Sequence, residues 1–336
     1  MPRCTADKTI ERKIISGFAF PLGVYPVEEM SPKAGYTIQF EAADGGGEED
    51  DDEWEEWPDR YVFDVVISAT RVEALCKALF SLLPGRVYPI MDVLGRDAYR
   101  EVDPYITYDL VGTDRFLNAC RWLRDFLFED GLIGFGAMSE EPFFYIFIDE
   151  HKIVTIRCEP KLKERVEKTL AAFDLQAIPE PAGADSASHE HRGALLAPPA
   201  EPDLLDGDQV LEFLRDDWNL VLNIDPETNV DDEGKELGST PWRCMLRGEN
   251  DNETRYAIVI VSAPCYREAE DLAIGRLAEM CDKAEIDFEE AIVLTADRLT
   301  KEDLAAQIEK LTGTKPKSTK ILPDKQVLAS DWVGGL

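Results

Sequence analysis

The sequence predicts an α+β fold in two domains, each a mostly antiparallel sheet with packed helices, joined by a flexible linker. Three observations lead there. The chain has 336 residues, more than one ordinary core accommodates. Period-two apolar runs and helical stripes follow one another without a regular β-α alternation. Residues 178–203, IPEPAGADSASHEHRGALLAPPAEPD, replace apolar periodicity with Pro, Ala, Gly and Ser. The expected division is therefore an N-terminal α+β domain over 1–177 with an acidic loop at 43–59, a linker over 178–203 and a C-terminal α+β domain over 204–336. As coil, such a linker would span roughly 30 Å.

Within the first domain RKIISGFAF, GYTIQFEA and RYVFDVVISA read as strands, and the acidic run lies between the last two as a long hairpin or crossover loop. RVEALCKALFSLL follows as an amphipathic helix and RVYPIMDVL as a returning strand, a β-α-β unit. Thr113 is placed to cap one helix over DRFLNACRWLRDFLFEDG, with Phe116, Cys120, Leu123 and Leu127 at helical spacing. LIGFGAMS, PFFYIFID and KIVTIRCE are three short strands, and Pro160 opens the helix KLKERVEKTLAAF. Past the linker, DQVLEFLRDDW is a helix, and NLVLNI, WRCMLRG and RYAIVIVSAP are strands. A helix from Tyr266 to Lys283, the strand AIVLTA and a Thr300-capped helix complete the order. In its element order alone, this second domain resembles small acidic α+β chaperone or adaptor modules.

Composition narrows the function classes. The formal net charge is −32, from 68 acidic and 36 basic residues, and both halves are acidic. A phosphate-binding surface needs clustered Lys and Arg, so neither direct nucleic-acid binding nor adsorption to anionic lipid is expected; a basic partner fits better. The N-terminal MPRCTADKTIERK lacks a signal-peptide core and no apolar run reaches membrane-spanning length, which predicts a cytoplasmic protein. Seven cysteines with no C-x-x-C pair read as reduced, buried thiols.

The leading candidate for a partner site is GGGEEDDDEWEEWPDR. Glu48, Glu49, Asp50, Asp51, Asp52, Glu53, Glu55 and Glu56 repel one another and keep the loop extended, holding Trp54 and Trp57 among anions. Carboxylates would steer a basic surface inward and the indoles would supply apolar contact. The bland reading is a solvated loop whose tryptophans fold back onto the sheet edge.

Other chemistries find thinner support. Cys265 lies between a strand and a helix N-terminus, where backbone amides and Arg267 favour a thiolate, but Glu268, Glu270 and Asp271 oppose an anionic substrate. Asn229, Asp231, Glu233 and Gly234 match EF-hand positions, yet Thr240 stands where the bidentate Glu belongs. The chain has three histidines: His151 in a turn between strands, and His189 and His191 in the linker, where HEH reads as a polar accident. No metal and no cofactor are expected, and no phosphate-binding glycine loop occurs.

The expected function is a non-enzymatic cytosolic interaction protein, adaptor or chaperone-like, meeting a basic partner through the acidic aromatic loop. The alternatives are an enzyme using Cys265 and an acidic inhibitor that imitates nucleic acid.

Overall fold

The computed structural model of the protein describes residues 2–43, 57–95, 97–196, 203–250, 254–314 and 325–333. The chain has mixed α and β content with antiparallel sheets, and it groups into two compact units. One comprises Met1–Val93 with Pro104–Val221, the other Leu94–Asp103 with Leu222–Leu336. Among the described residues no helix is long and apolar enough to cross a membrane.

In the first unit the strands Gly35–Glu41, Arg60–Val66, Val154–Cys158, Phe143–Ile148, Ile133–Glu140 and Arg86–Leu94 neighbour one another in that order, each pair antiparallel. Alternation does the sorting: Phe63, Val65, Ile146, Ile148, Val154 and Ile156 are fully buried, while Val62, Asp64, Tyr145, Phe147, Thr155 and Arg157 between them are not. The helix Ala69–Phe80 buries Val72, Leu75, Cys76 and Leu79, and Lys163–Ala172 buries Val166 and Leu170. Each fully buried side chain of this size contributes about 2 kcal/mol through the hydrophobic effect.

Several expectations are revised here. RKIISGFAF is no continuous strand, since Ser16 and Gly17 have positive φ and fold it into a hairpin of Ile14–Ile15 on Phe18–Ala19. The segment after Thr113 is two helices, Thr113–Trp122 and Arg124–Glu129, parted at Leu123 with φ −108 and ψ 28. Thr113 does not cap the first of them; its hydroxyl donates to the Pro84 carbonyl, because Thr113 already stands inside the helix. The helix Gly207–Trp218, capped by a reciprocal Asp206–Gln209 box, groups with the first unit and not with the C-terminal one. Its Trp218 is fully buried with the ring 5.1 Å from Phe116, an apolar anchor strong enough to hold it there.

The stretch read as a linker is bonded into the first unit over residues 178–195. Lys33 and Ala182 exchange backbone hydrogen bonds, His189–His191 pairs antiparallel with the strand Val24–Pro26, and Ala6 bridges Leu195. Its composition disguised it, because backbone pairing and small buried residues leave no apolar period.

The second unit has the strand order Glu290–Arg298, Thr240–Glu249, Thr254–Ala263, Gln326–Val333, all antiparallel. Trp242, Cys244, Leu246, Ala257, Val259 and Val261 pack with Ala269, Ala273 and Leu277 of the helix Tyr266–Ala284, whose alanines allow close approach. The other face carries Ile258 and Ile260 beneath Leu304 and Ile308 of the helix Lys301–Thr312, which explains the uninterrupted apolar run AIVIV. Thr300 caps that helix as its sequence indicates, accepting from the Asp303 amide at 3.0 Å. Arg298 is buried, paired with Asp97 at 2.8 Å and flanked by the rings of Tyr99 and Trp242.

Candidate metal centre

Two local motifs of the first unit carry three histidines to one point. The first is the turn between the strands Phe143–Ile148 and Val154–Cys158. Asp149 closes it: its Oδ1 accepts from the Ile153 amide at 2.7 Å, and its backbone carbonyl accepts from the Lys152 amide at 3.0 Å. Lys152 takes positive φ, 65°, which frees its side chain to run inward. Its ammonium is buried and donates to the Ile133 carbonyl at 2.7 Å. Burial pushes that ammonium down to about 8 against the opposing pull of Asp130, Asp149 and Glu150. A turn so fixed gives His151 a definite direction, with its side chain 14% exposed.

The second motif is the strand His189–His191. Residues two apart on a strand share a face, so pairing with Val24–Pro26 aims both imidazoles the same way and leaves Glu190 exposed. HEH is thus a ligand-spaced pair once the backbone is extended.

The rings meet edge to face, with centroids 4.7–4.8 Å apart and interplanar angles of 71–77°. The Nε2 atoms of His151 and His189 are 2.9 Å apart, as are those of His189 and His191. The other ring nitrogens are all engaged away from this focus. His189 Nδ1–H donates to the Ala187 carbonyl at 2.7 Å and His191 Nδ1–H to the Gly131 carbonyl at 2.6 Å. His151 Nδ1 lies 3.2 Å from Asp149 Oδ2 and 3.5 Å from Glu150 Oε1.

This pattern fixes the tautomers. A carbonyl oxygen only accepts, so the Nδ1 atoms of His189 and His191 bear protons, and when both rings are neutral their Nε2 lone pairs face each other. Two lone pairs at 2.9 Å repel unless a proton or a metal ion sits between them. A proton on His151 Nε2 can satisfy the contact with His189 and still leaves the contact between His189 and His191 unrelieved. Burial acts to lower the His151 pKa, but the hydrogen bond to Asp149 and the charges of Asp149, Glu150 and Asp185 together outweigh it and raise the value. His191 is shifted the other way, by burial first and then by the charges of its two neighbours, against the Gly131 carbonyl.

A zinc ion at the focus of the three Nε2 atoms would relieve both contacts at once. Zn–N bonds of about 2.0–2.1 Å at tetrahedral angles separate ligand nitrogens by about 3.3 Å, a few tenths beyond the spacing present. The Nδ1 partners, two carbonyls and one carboxylate, are the outer-shell groups that orient metal-bound imidazoles and raise their basicity. Three nitrogen donors suit zinc, copper, nickel or cobalt and not the oxygen-seeking magnesium or calcium.

The other sites read from the sequence are dispersed. Trp57 is half-buried over three inner strands of the sheet, its ring 5.4 Å from Phe143 and edge-on, with Arg60 at 5.2 Å and Arg157 at 5.8 Å. It is therefore packed and not held free in solvent; the neighbouring ring and two guanidiniums outweigh the loop's repulsion. Trp54 and Glu48, Glu49, Asp50, Asp51, Asp52, Glu53, Glu55 and Glu56 lie outside the described residues. Cys265 is 6% exposed and stands as N-cap of its helix without a side-chain cap bond, while Arg267 pairs with Glu227. In the EF-hand-like loop the Asn229 amide is spent on Thr240 Oγ1, and Asp231 Oδ1 accepts from the Glu233 and Lys235 amides.

Fold and site together define an antiparallel α+β unit in which three imidazoles converge on one point. Comparison with protein families, with characterised proteins and with solved structures finds no match for the chain.

Proposed function

We propose that the protein binds a divalent transition metal, zinc foremost, through Nε2 of His151, His189 and His191. The observation that carries this reading is the Nε2 contact of His189 and His191 at 2.9 Å while both Nδ1 atoms donate to backbone carbonyls. Protein free of any affinity tag, stripped with a chelator and titrated with zinc against a chromophoric competitor, is expected to take up one equivalent. His189→Ala should weaken binding by more than about a hundredfold, since even outer-shell partners are worth 10–100-fold. Equal uptake by His189→Ala and wild type would overturn the assignment.

A second reading is the interaction role of the acidic loop toward a basic partner. It is favoured by the loop's neck, where Glu41 pairs with Arg60 across the ladder and the Ala43 amide donates to Asp59 at 2.7 Å. Beside this fixed base Phe40 is 52% exposed, an apolar contact next to the anionic segment. Pull-downs with Trp54→Ala and Trp57→Ala separate the two rings. Loss of a partner is expected with Trp54→Ala, and undiminished recovery with that variant would remove the loop from consideration.

A further inference from the structure

The ligands come from two pieces of chain, and one of those pieces buries almost no apolar side chain of its own. Residues 182–195, ADSASHEHRGAL with its preceding Ala182-Gly183, cross the first unit as a strap whose buried side chains are Ala184 and Ala194. Neither is large enough to anchor a segment of that length by apolar contact. The other attachments are mostly backbone bonds, among them Ala182 with Lys33, Val27 N to the Ser188 carbonyl, Arg192 N to the Gly23 carbonyl, Gly131 N to the Arg192 carbonyl and Asp7 N to the Ala194 carbonyl. They are joined by the exposed Arg192 guanidinium, which donates to the Leu22 carbonyl at 3.1 Å and lies 5.7 Å from the Tyr25 ring. Ala194 N also donates to the buried Asp130 carboxylate at 2.7 Å. Each such bond replaces one to water and yields a small net gain, against the entropy lost in fixing every residue of the strap.

The three-histidine focus adds the missing term, and its sign depends on the ion. With the strap docked and no cation, His189 and His191 set lone pairs against each other beside His151. With a cation, the same atoms become ligands, two from the strap and one from the turn at 149–153, so the ion binds the docked arrangement alone. A ligand that binds one of two states shifts the equilibrium toward it.

We infer that metal at His151, His189 and His191 is the latch of the strap, so that occupancy of the site determines whether residues 182–195 stay docked on the first unit. This rests on the metal-binding reading and adds regulation to it. Docking also completes the ladder of the strand Val24–Pro26 and sets Ala184 against Phe20 and Val24. Undocking therefore bares a strand edge and a small apolar cluster that includes Phe18 and Met30.

Hydrogen exchange on the full-length protein, followed by mass spectrometry with and without one equivalent of zinc, tests the latch. Zinc is expected to slow exchange in peptides covering 182–195 by about tenfold or more, while peptides of the strand Phe143–Ile148 remain unchanged. His151→Ala removes a ligand outside the strap; its strap should exchange at the rate of metal-free wild type whether or not zinc is present. Retention of one zinc by wild type with no change in strap exchange overturns the latch and leaves the metal site standing. Strap protection by zinc in His151→Ala overturns it as well, and failure to retain zinc at all removes both.

Discussion

Asp149 does two things at once, and the distinction between them is testable. One oxygen closes the turn through the Ile153 amide and the other faces Nδ1 of His151. Asn can keep an oxygen on the amide but loses the charge beside the imidazole. Asp149→Asn is therefore expected to leave stability nearly unchanged and to weaken zinc binding by about 10–100-fold, read by chelator competition. Trp57 shows the opposite lesson about residue identity. Its position among carboxylates suggested exposure, but Arg60 and Arg157 offer cations to its face and Phe143 an edge partner, and those contacts won.

Among the elements, the strap depends on glycines it does not contain. A Cβ on Gly131 would lie 2.0 Å from the Gly23 oxygen, and one on Gly23 would lie 1.9 Å from the Gly131 nitrogen. The two backbones approach that closely because both bond to Arg192. Gly131→Ala is expected to destabilise the protein by roughly 2–3 kcal/mol in denaturant unfolding. Gly85→Ala serves as the control, since nothing lies within 4 Å of a Cβ there, and it should cost little. Equal effects of the two substitutions would show that the close approach does not govern the strap. Strongly periodic elements such as Ala69–Phe80 and Tyr266–Ala284 were legible because their buried stripes repeat at helical spacing. The break at Leu123 was not, since Leu123 itself continues the apolar spacing and is fully buried.

For the molecule as a whole, the period-two runs and helical stripes in their order indicated the mixed, antiparallel character of the fold. They did not indicate where the chain divides. A Pro-, Ala- and Ser-rich stretch reads as linker when judged by apolar pattern, yet a segment can be bound by its backbone and by polar side chains, and such binding leaves no period in the sequence. The same reason hid the candidate centre. H-x-H is informative only in an extended backbone, and the strand that extends it is supplied by Val24–Pro26, far away in sequence. The signal available was narrow: three histidines in the chain, two of them at strand spacing and one in a tight turn.

What the sequence determined by itself was the set of local elements, because burial periodicity, caps and turn chemistry act between residues a few positions apart. What only the tertiary structure decided was which of those elements meet. Bringing His151 to His189 closes a loop of 38 residues, and the bonds that hold it closed, from Gly23, Asp130, Gly131 and Lys33, belong to residues with no local reason to be read together.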